Sequence, residues 1–249
     1  MTTTVKTTKA GARHYTIGGE KYPSVTTVLN VISKPALIPW AKKVSLEKVR
    51  QELYHASDEI SQGNVLLEGH DSIDELIEAA RTRPDEVAGA AADLGLRAHK
   101  YVEELIKEEG ALPEPEPDIA PAVQAFLDWR EQAGLDIKAV EQVVYSREYG
   151  YAGTLDMLGR DEQGRVYVVD LKTSNGIYPE YALQVSAYAQ AWYEMHSLDN
   201  VEGAMVVRLG KANAEFEVRE VADWITTFIR GFKPALDLWS ALRGEIWRE

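Results

Sequence analysis

A chain of 249 residues with 45% hydrophobic content can bury one good core, and the absence of any cysteine excludes disulfides, iron–sulfur clusters and thiolate zinc sites. No run approaches the ~18 apolar residues of a membrane span, and the opening MTTTVKTTKAGAR lacks the apolar centre and cleavage pattern of a signal peptide, so a cytoplasmic protein with no membrane partner is expected. A formal net charge of −13 opposes a general electrostatic grip on nucleic acid, unless the acidic residues lie on a far face or bound cations reverse the sign of a site.

Residues 1–13 are polar and Thr-rich and read as a flexible N-terminus. Order is expected from 14–17, followed by a Gly18-Gly19 turn and helical spacing over 24–31. Pro35 and Pro39 interrupt it before a helix from 40 to about 54, and two more helices, 73–81 and 85–109, flank Pro84. Residues 14–110 thus form a helical region. The stretch 111–121, with LPEPEPDIAP, reads as an acidic, proline-rich, solvated loop, and 122–133 as an amphipathic helix stopped by Gly134. The period then changes: 138–145, 153–159 and 166–171 read as a meander of three strands, 179–195 as a helix, 203–209 and 214–218 as strands, and 224–242 as a closing helix. This order predicts an α/β fold with a central mixed sheet flanked by helices, 122–249 forming its core and 14–249 a single globular unit.

Two carboxylates fall on neighbouring predicted strands: Asp156 in Gly153-Thr154-Leu155-Asp156 and Asp170 in Val168-Val169-Asp170-Leu171-Lys172. Strand alternation puts Val166, Val168, Asp170 and Lys172 on one face and Tyr167, Val169 and Leu171 on the other. A carboxylate near the end of an apolar strand costs free energy without a partner, so two of them beside a lysine point to a bound cation. Hard divalent ions take oxygen ligands, and Mg2+ typically keeps several waters with one or two carboxylates. Such an ion acidifies a water for attack and offsets charge growing on a phosphoryl group, with Lys172 placed to orient or deprotonate that water.

The ordered set of the Gly-Thr-Leu-Asp strand, a hairpin, Val-Val-Asp-Leu-Lys-Thr, and a helix bearing Gln184-Val185-Ser186-Ala187-Tyr188 resembles the core of RecB-type PD-(D/E)XK nucleases. These include the CRISPR-associated adaptation exonucleases and related bacteriophage enzymes. The likeness covers roughly residues 90–210, with a weaker one to the start of phage members in Pro23-Ser24-Val25-Thr26-Thr27. It implies a metal-dependent DNA exonuclease acting in recombination, repair or phage DNA processing, in the cytoplasm of a bacterium or phage-infected host, with one or two Mg2+ or Mn2+ ions. It implies Asp156, Asp170, the Leu171 carbonyl and His99 as metal ligands, Lys172 as the catalytic lysine alongside Asp156 and Asp170, and Gln184 and Tyr188 as DNA contacts. DNA, as single strands or duplex ends, would be its partner, beside a strand-annealing or recombination protein. Two departures stand out: Leu155, not proline, precedes Asp156, and there are no cysteines for the iron–sulfur cluster that many CRISPR-associated relatives carry. The same site would serve a structure-specific endonuclease, and a catalytically silent DNA-binding module would share the fold, although it has no need of Lys172 beside two carboxylates.

The residues alone leave alternatives open. His99 shares a helical face with Val102, Glu103 and Ile106, where a core histidine satisfied by Glu103 is the plainer reading. Gln184 and Tyr188, at i and i+4, equally suit a helix packing on the sheet. Glu141 heads the first strand as an outer metal contact or as a solvated strand end. Lys42, Lys43, Lys48 and Arg50 read as a solvated helix face, and Trp40, Trp192, Trp224 and Trp239 as core.

Overall fold

The chain opens with three short antiparallel strands, β1 (Thr3–Thr7), β2 (Arg13–Ile17) and β3 (Glu20–Pro23). The structure, a computed structural model, describes residues 3–7, 13–55, 73–107, 113–196 and 200–243. β1 departs from the flexible N-terminus expected over 1–13, because its β-branched Thr and Val residues pair with β2 from Thr3 opposite Ile17 to Thr7 opposite Arg13. Ser24 then caps α1 (Val25–Leu29), its Oγ accepting the Thr27 N–H at 3.0 Å. Thr27 Oγ1 accepts the Arg13 N–H at 3.0 Å, so the Pro-Ser-Val-Thr-Thr segment is at once a cap and a latch onto β2.

α2 (Leu37–His55) carries Lys42, Lys43 and Arg50 on an exposed face, and Trp40 at its start is exposed as well, not core. α3 (Ile73–Lys107) runs unbroken through Pro84, where two helices were expected; the expected end at Glu109 lies outside the described residues. A mid-helix proline forfeits one backbone hydrogen bond. Around it, Thr82 Oγ1 donates to the Glu78 and Ala79 carbonyls at 3.2 Å each, and the pairs Arg81–Glu78 and Arg83–Glu86 brace either side. The chain divides into two compact units, Met1–Ile32 with Gly95–Glu249, and Ser33–Leu94, in place of the single unit expected over 14–249. The boundary falls inside α3, just before Gly95, which leaves His99 in the unit that holds the large sheet.

The acidic loop is shorter than expected and is not free in solvent. α4 (Ala120–Ala133) starts two residues early with Pro121 in its first turn, and stops at Gly134 with φ +62°. Arg97 of α3 pairs with Glu116 and, through Nη2 at 2.5 Å, with Asp118, while Tyr101 Oη donates to the Pro113 carbonyl at 2.8 Å. These contacts hold α3 on both sides of His99.

β4 (Asp136–Ser146), β5 (Tyr151–Arg160) and β6 (Val166–Lys172) form the antiparallel meander. α5 (Pro179–Met195) crosses to β7 (Val201–Leu209), parallel to β6, and β8 (Phe216–Glu220) closes the edge in the spatial order β4-β5-β6-β7-β8. The last helix is broken into α6 (Trp224–Thr227), one π-helical turn at Phe228–Phe232, and α7 (Lys233–Ala241). In that turn Gly231 lies so close to Leu183 of α5 that a Cβ would sit 2.3 Å from Cδ2. One face of the sheet packs against α5, α1, α6 and α7 through Val144, Leu155, Val168, Val185, Trp192 and Phe228. α4 and the last turns of α3 cover the other. The fold is the α/β class expected, a mixed sheet flanked by helices. Among the described residues no helix is long and apolar enough to cross a membrane.

Candidate active site

β5 and β6 pair from Arg160 opposite Val166 to Met157 opposite Val169, and there the ladder stops. One step further the register would set Asp156 against Asp170. A side chain replaces the backbone at that point: Asp156 Oδ2 accepts the Leu171 N–H at 2.7 Å. The N–H and C=O of one strand residue point to the same neighbour, so the Leu171 carbonyl also faces β5. Asp170, on the other side of the strand, is 0% exposed. Its Oδ2 lies 2.5 Å from Lys172 Nζ, and its Oδ1 accepts from Gln184 Nε2 at 3.0 Å. Gln184 Nε2 donates to Tyr188 Oη at 3.0 Å as well. Tyr188 is buried, and its ring fills the space over Gly153, where a Cβ would lie 2.4 Å from Cε1. That contact explains the glycine two residues before the Leu155-Asp156 pair.

α3 supplies His99. One turn earlier, Gly95 lets the helix approach the end of β6, since a Cβ there would lie 2.8 Å from Thr173 Oγ1. His99 Nδ1 is 3.8 Å from Asp156 Oδ2, too far for a hydrogen bond. Glu103, the alternative partner, is instead paired with Lys107. On β4, the pairs Val140–Met157 and Gln142–Leu155 bracket Glu141 and set it across from Asp156. Its backbone has φ +49°, a left-handed value that costs a non-glycine residue and gathers at functional sites. His99, Glu141 and Asp156 offer ligand atoms that all lie within 4.8 Å of one another.

The electrostatics are those of crowded carboxylates. Glu141 is open to solvent as a residue, yet its carboxyl is raised to about 7, first by its removal from water and then by the charges of Asp156 and Glu103. Burial also raises Asp170, against the pull of Lys172. Lys172 moves up: burial opposes its charge, but Asp170 and Asp156 outweigh it, so the ammonium persists. Burial lowers His99, which keeps the imidazole neutral and one ring nitrogen free to donate an electron pair.

The structure therefore brings Asp156, Asp170, Leu171, Lys172 and His99 to one notch. Gln184 and Tyr188 hydrogen-bond beneath Asp170, with Tyr188 buried. Sequence reasoning did not single out Gly95 or Thr173. A signal for the first was present, since Gly95 precedes His99 by four residues on a shared helical face.

Residues 47–243 match the sequence model of the PD-(D/E)XK nuclease superfamily. The chain belongs to that superfamily. Among solved structures it is similar to a candidate exonuclease from Eubacterium rectale, at 8% identity over 60% of this chain and 67% of that one, with a TM-score of 0.39. It is also similar to an alkaline exonuclease from Laribacter hongkongensis, at 12% identity over 59% and 77% of the two chains, with a TM-score of 0.37. No curated protein matches the chain. PD-(D/E)XK nucleases use divalent metals, and the donors here fit one. They are carboxylates and an imidazole with no sulfur, and Asp170 Oδ2 is a buried oxygen whose near neighbour is the Lys172 ammonium at 2.5 Å.

Proposed function

We propose that this chain is a metal-dependent deoxyribonuclease that hydrolyses phosphodiester bonds from DNA ends, in recombination, repair or phage DNA processing. The observation that carries the reading is the meeting of His99, Asp156, Asp170 and Lys172 where β5 and β6 part. His99, Glu141, Asp156, Asp170 and the Leu171 carbonyl would hold one or two ions of Mg2+ or Mn2+, the imidazole favouring Mn2+ as at least an equal activator. A divalent cation bound there supplies charge against the developing phosphoryl negative charge and acidifies water.

The chain's own groups do the positioning. Lys172 Nζ, fixed on Asp170, orients the attacking water and keeps positive charge beside the phosphate. Gln184 sets the plane of Asp170 and the Leu171 N–H sets that of Asp156, so neither carboxylate must reorganise when substrate arrives. The resemblance to RecB-type exonucleases supports end-processing of single strands or duplex ends, beside a strand-annealing or recombination protein in the cytoplasm.

The test is digestion of end-labelled linear single- and double-stranded DNA and of covalently closed circles, with Mg2+, Mn2+ or EDTA. Native protein is compared with Asp156→Asn and Asp170→Asn. Metal-dependent release of short products from linear DNA, lost in both variants, is the expected result. Cutting of closed circles would move the assignment to an endonuclease, and DNA binding without cleavage under either metal would leave a binding module.

A further inference from the structure

We propose a nucleobase-stacking subsite at Tyr178 and Tyr181, which receives a substrate base within about three stacked nucleotides of the scissile phosphate. The proposal rests on the nuclease reading above. Tyr181 packs against the core, with Lys172 Nζ 5.1 Å from the centre of its ring. Tyr178 meets Tyr181 edge to face, ring centres 5.5 Å apart and planes at 77°. Those two distances laid end to end put the Tyr178 ring no farther than about 11 Å from Lys172 Nζ, and stacked bases rise about 3.4 Å per nucleotide.

Tyr178 is held in place while remaining open. Ser174 Oγ donates to the Gly176 carbonyl at 2.7 Å within the preceding loop, and the Tyr181 N–H donates to the Tyr178 carbonyl at 3.0 Å. The residue is nonetheless 45% exposed. An open aromatic ring within about 11 Å of a fixed ammonium can bind a nucleic-acid strand, with a base on the ring and a nearby phosphate on the cation. In a chain of net charge −13, stacking supplies affinity that the overall charge does not oppose. A lone exposed tyrosine means little by itself. Tyr193 supplies the matched control: it lies on α5, the helix that Tyr178 immediately precedes, is 44% exposed and leans on Trp224.

The experiment uses the full chain with Ca2+ and oligonucleotides carrying 2-aminopurine at the first, second or third nucleotide from the end. Binding should quench the fluorescence at one of these positions. The quench should vanish in Tyr178→Ala and survive in Tyr178→Trp and Tyr193→Ala. With the activating metal, Tyr178→Ala should raise the KM for DNA roughly tenfold with a smaller change in kcat, the scale of one lost base stack. An undiminished quench in Tyr178→Ala, or an equal loss in Tyr193→Ala, overturns the subsite. Hydrolysis of bis(4-nitrophenyl) phosphate by native protein separates the two readings. Ester hydrolysis with no quench removes the subsite alone, and no hydrolysis of ester or DNA removes both.

Discussion

Gln184 donates from Nε2 to Asp170 Oδ1 at 3.0 Å, fixing a carboxylate that has no exposed surface of its own. Removing the donor leaves Asp170 oriented by Lys172 alone. Gln184→Ala is expected to reduce metal affinity or activity about 10- to 100-fold, as loss of a group that orients a ligand does. Gln184→Glu should be worse, because it sets a second carboxylate against the first. A metal titration of the cleavage rate reads this directly, and an unchanged midpoint would leave Gln184 as packing only.

Glu141 and Asp156 face each other across the β4–β5 ladder, a like-charge pairing that destabilises a sheet once Glu141 ionises above pH about 7. In EDTA at about pH 8, Glu141→Gln should therefore stabilise the protein by about 0.5–1 kcal/mol, roughly 1–4 °C in Tm for a chain of this size. In saturating Mn2+ the order should reverse, since the variant loses a ligand and with it part of the stabilisation that ligand-bound folding confers. Melting curves with and without metal decide it. The same rank order in both conditions would count against Glu141 as a metal contact.

The metal-free protein should lose stability as pH rises from about 5 to 7. Glu141 and Asp170 keep their protons to about 7 when folded, against ordinary values of 4.5 and 3.8. The native state thus binds more protons than the unfolded chain across that window, and stability falls until both have ionised. His99, lowered from 6.5, works in the opposite direction, one group against two. Mn2+ should flatten the decline, because the bound ion favours the ionised carboxylates. A Tm in EDTA that climbed over this range would contradict the burial of these groups.

Gly95→Ala pits two effects of similar size against each other. Alanine improves a helix interior by about 1 kcal/mol, whereas a Cβ 2.8 Å from Thr173 Oγ1 forces a shift costing ~1–3 kcal/mol. The single substitution should be neutral to destabilising. With Thr173→Ala in place the offending oxygen is gone, and Gly95→Ala should then stabilise by about 1 kcal/mol in denaturant titrations. Failure of the double variant to gain over Thr173→Ala would mean the close approach lies elsewhere.

The strands of the five-stranded sheet and most helices were legible because alternating Val, Tyr and Leu and the Gly134 stop are local signals, whereas β1, β2 and β3 fall where a flexible terminus and a helical region were expected. Asp156 and Asp170 were legible for the same reason, being one hairpin apart on strands whose faces follow from parity. Glu141 was harder, since its place opposite Asp156 follows from a register shift between Ile137 and Ala139 that no local pattern announces. α3 passes through Pro84, where the proline rule alone says to stop. The inward turn of Gln184 and Tyr188 depends on Gly153 leaving room for a ring from another element, a tertiary fact that helical spacing does not encode.

The side-chain bond that takes over where the β5–β6 ladder ends also governs the choice of an inert stand-in for trapping complexes. Asp156→Ala would delete a charge and also untie the last link between two strands. Lys172→Ala would leave the buried Asp170 carboxyl with Gln184 as its remaining hydrogen-bond partner and favour its protonated form. Asp156→Asn retains an oxygen to accept the Leu171 N–H while removing the charge, and so should halt chemistry with the architecture around the notch left standing.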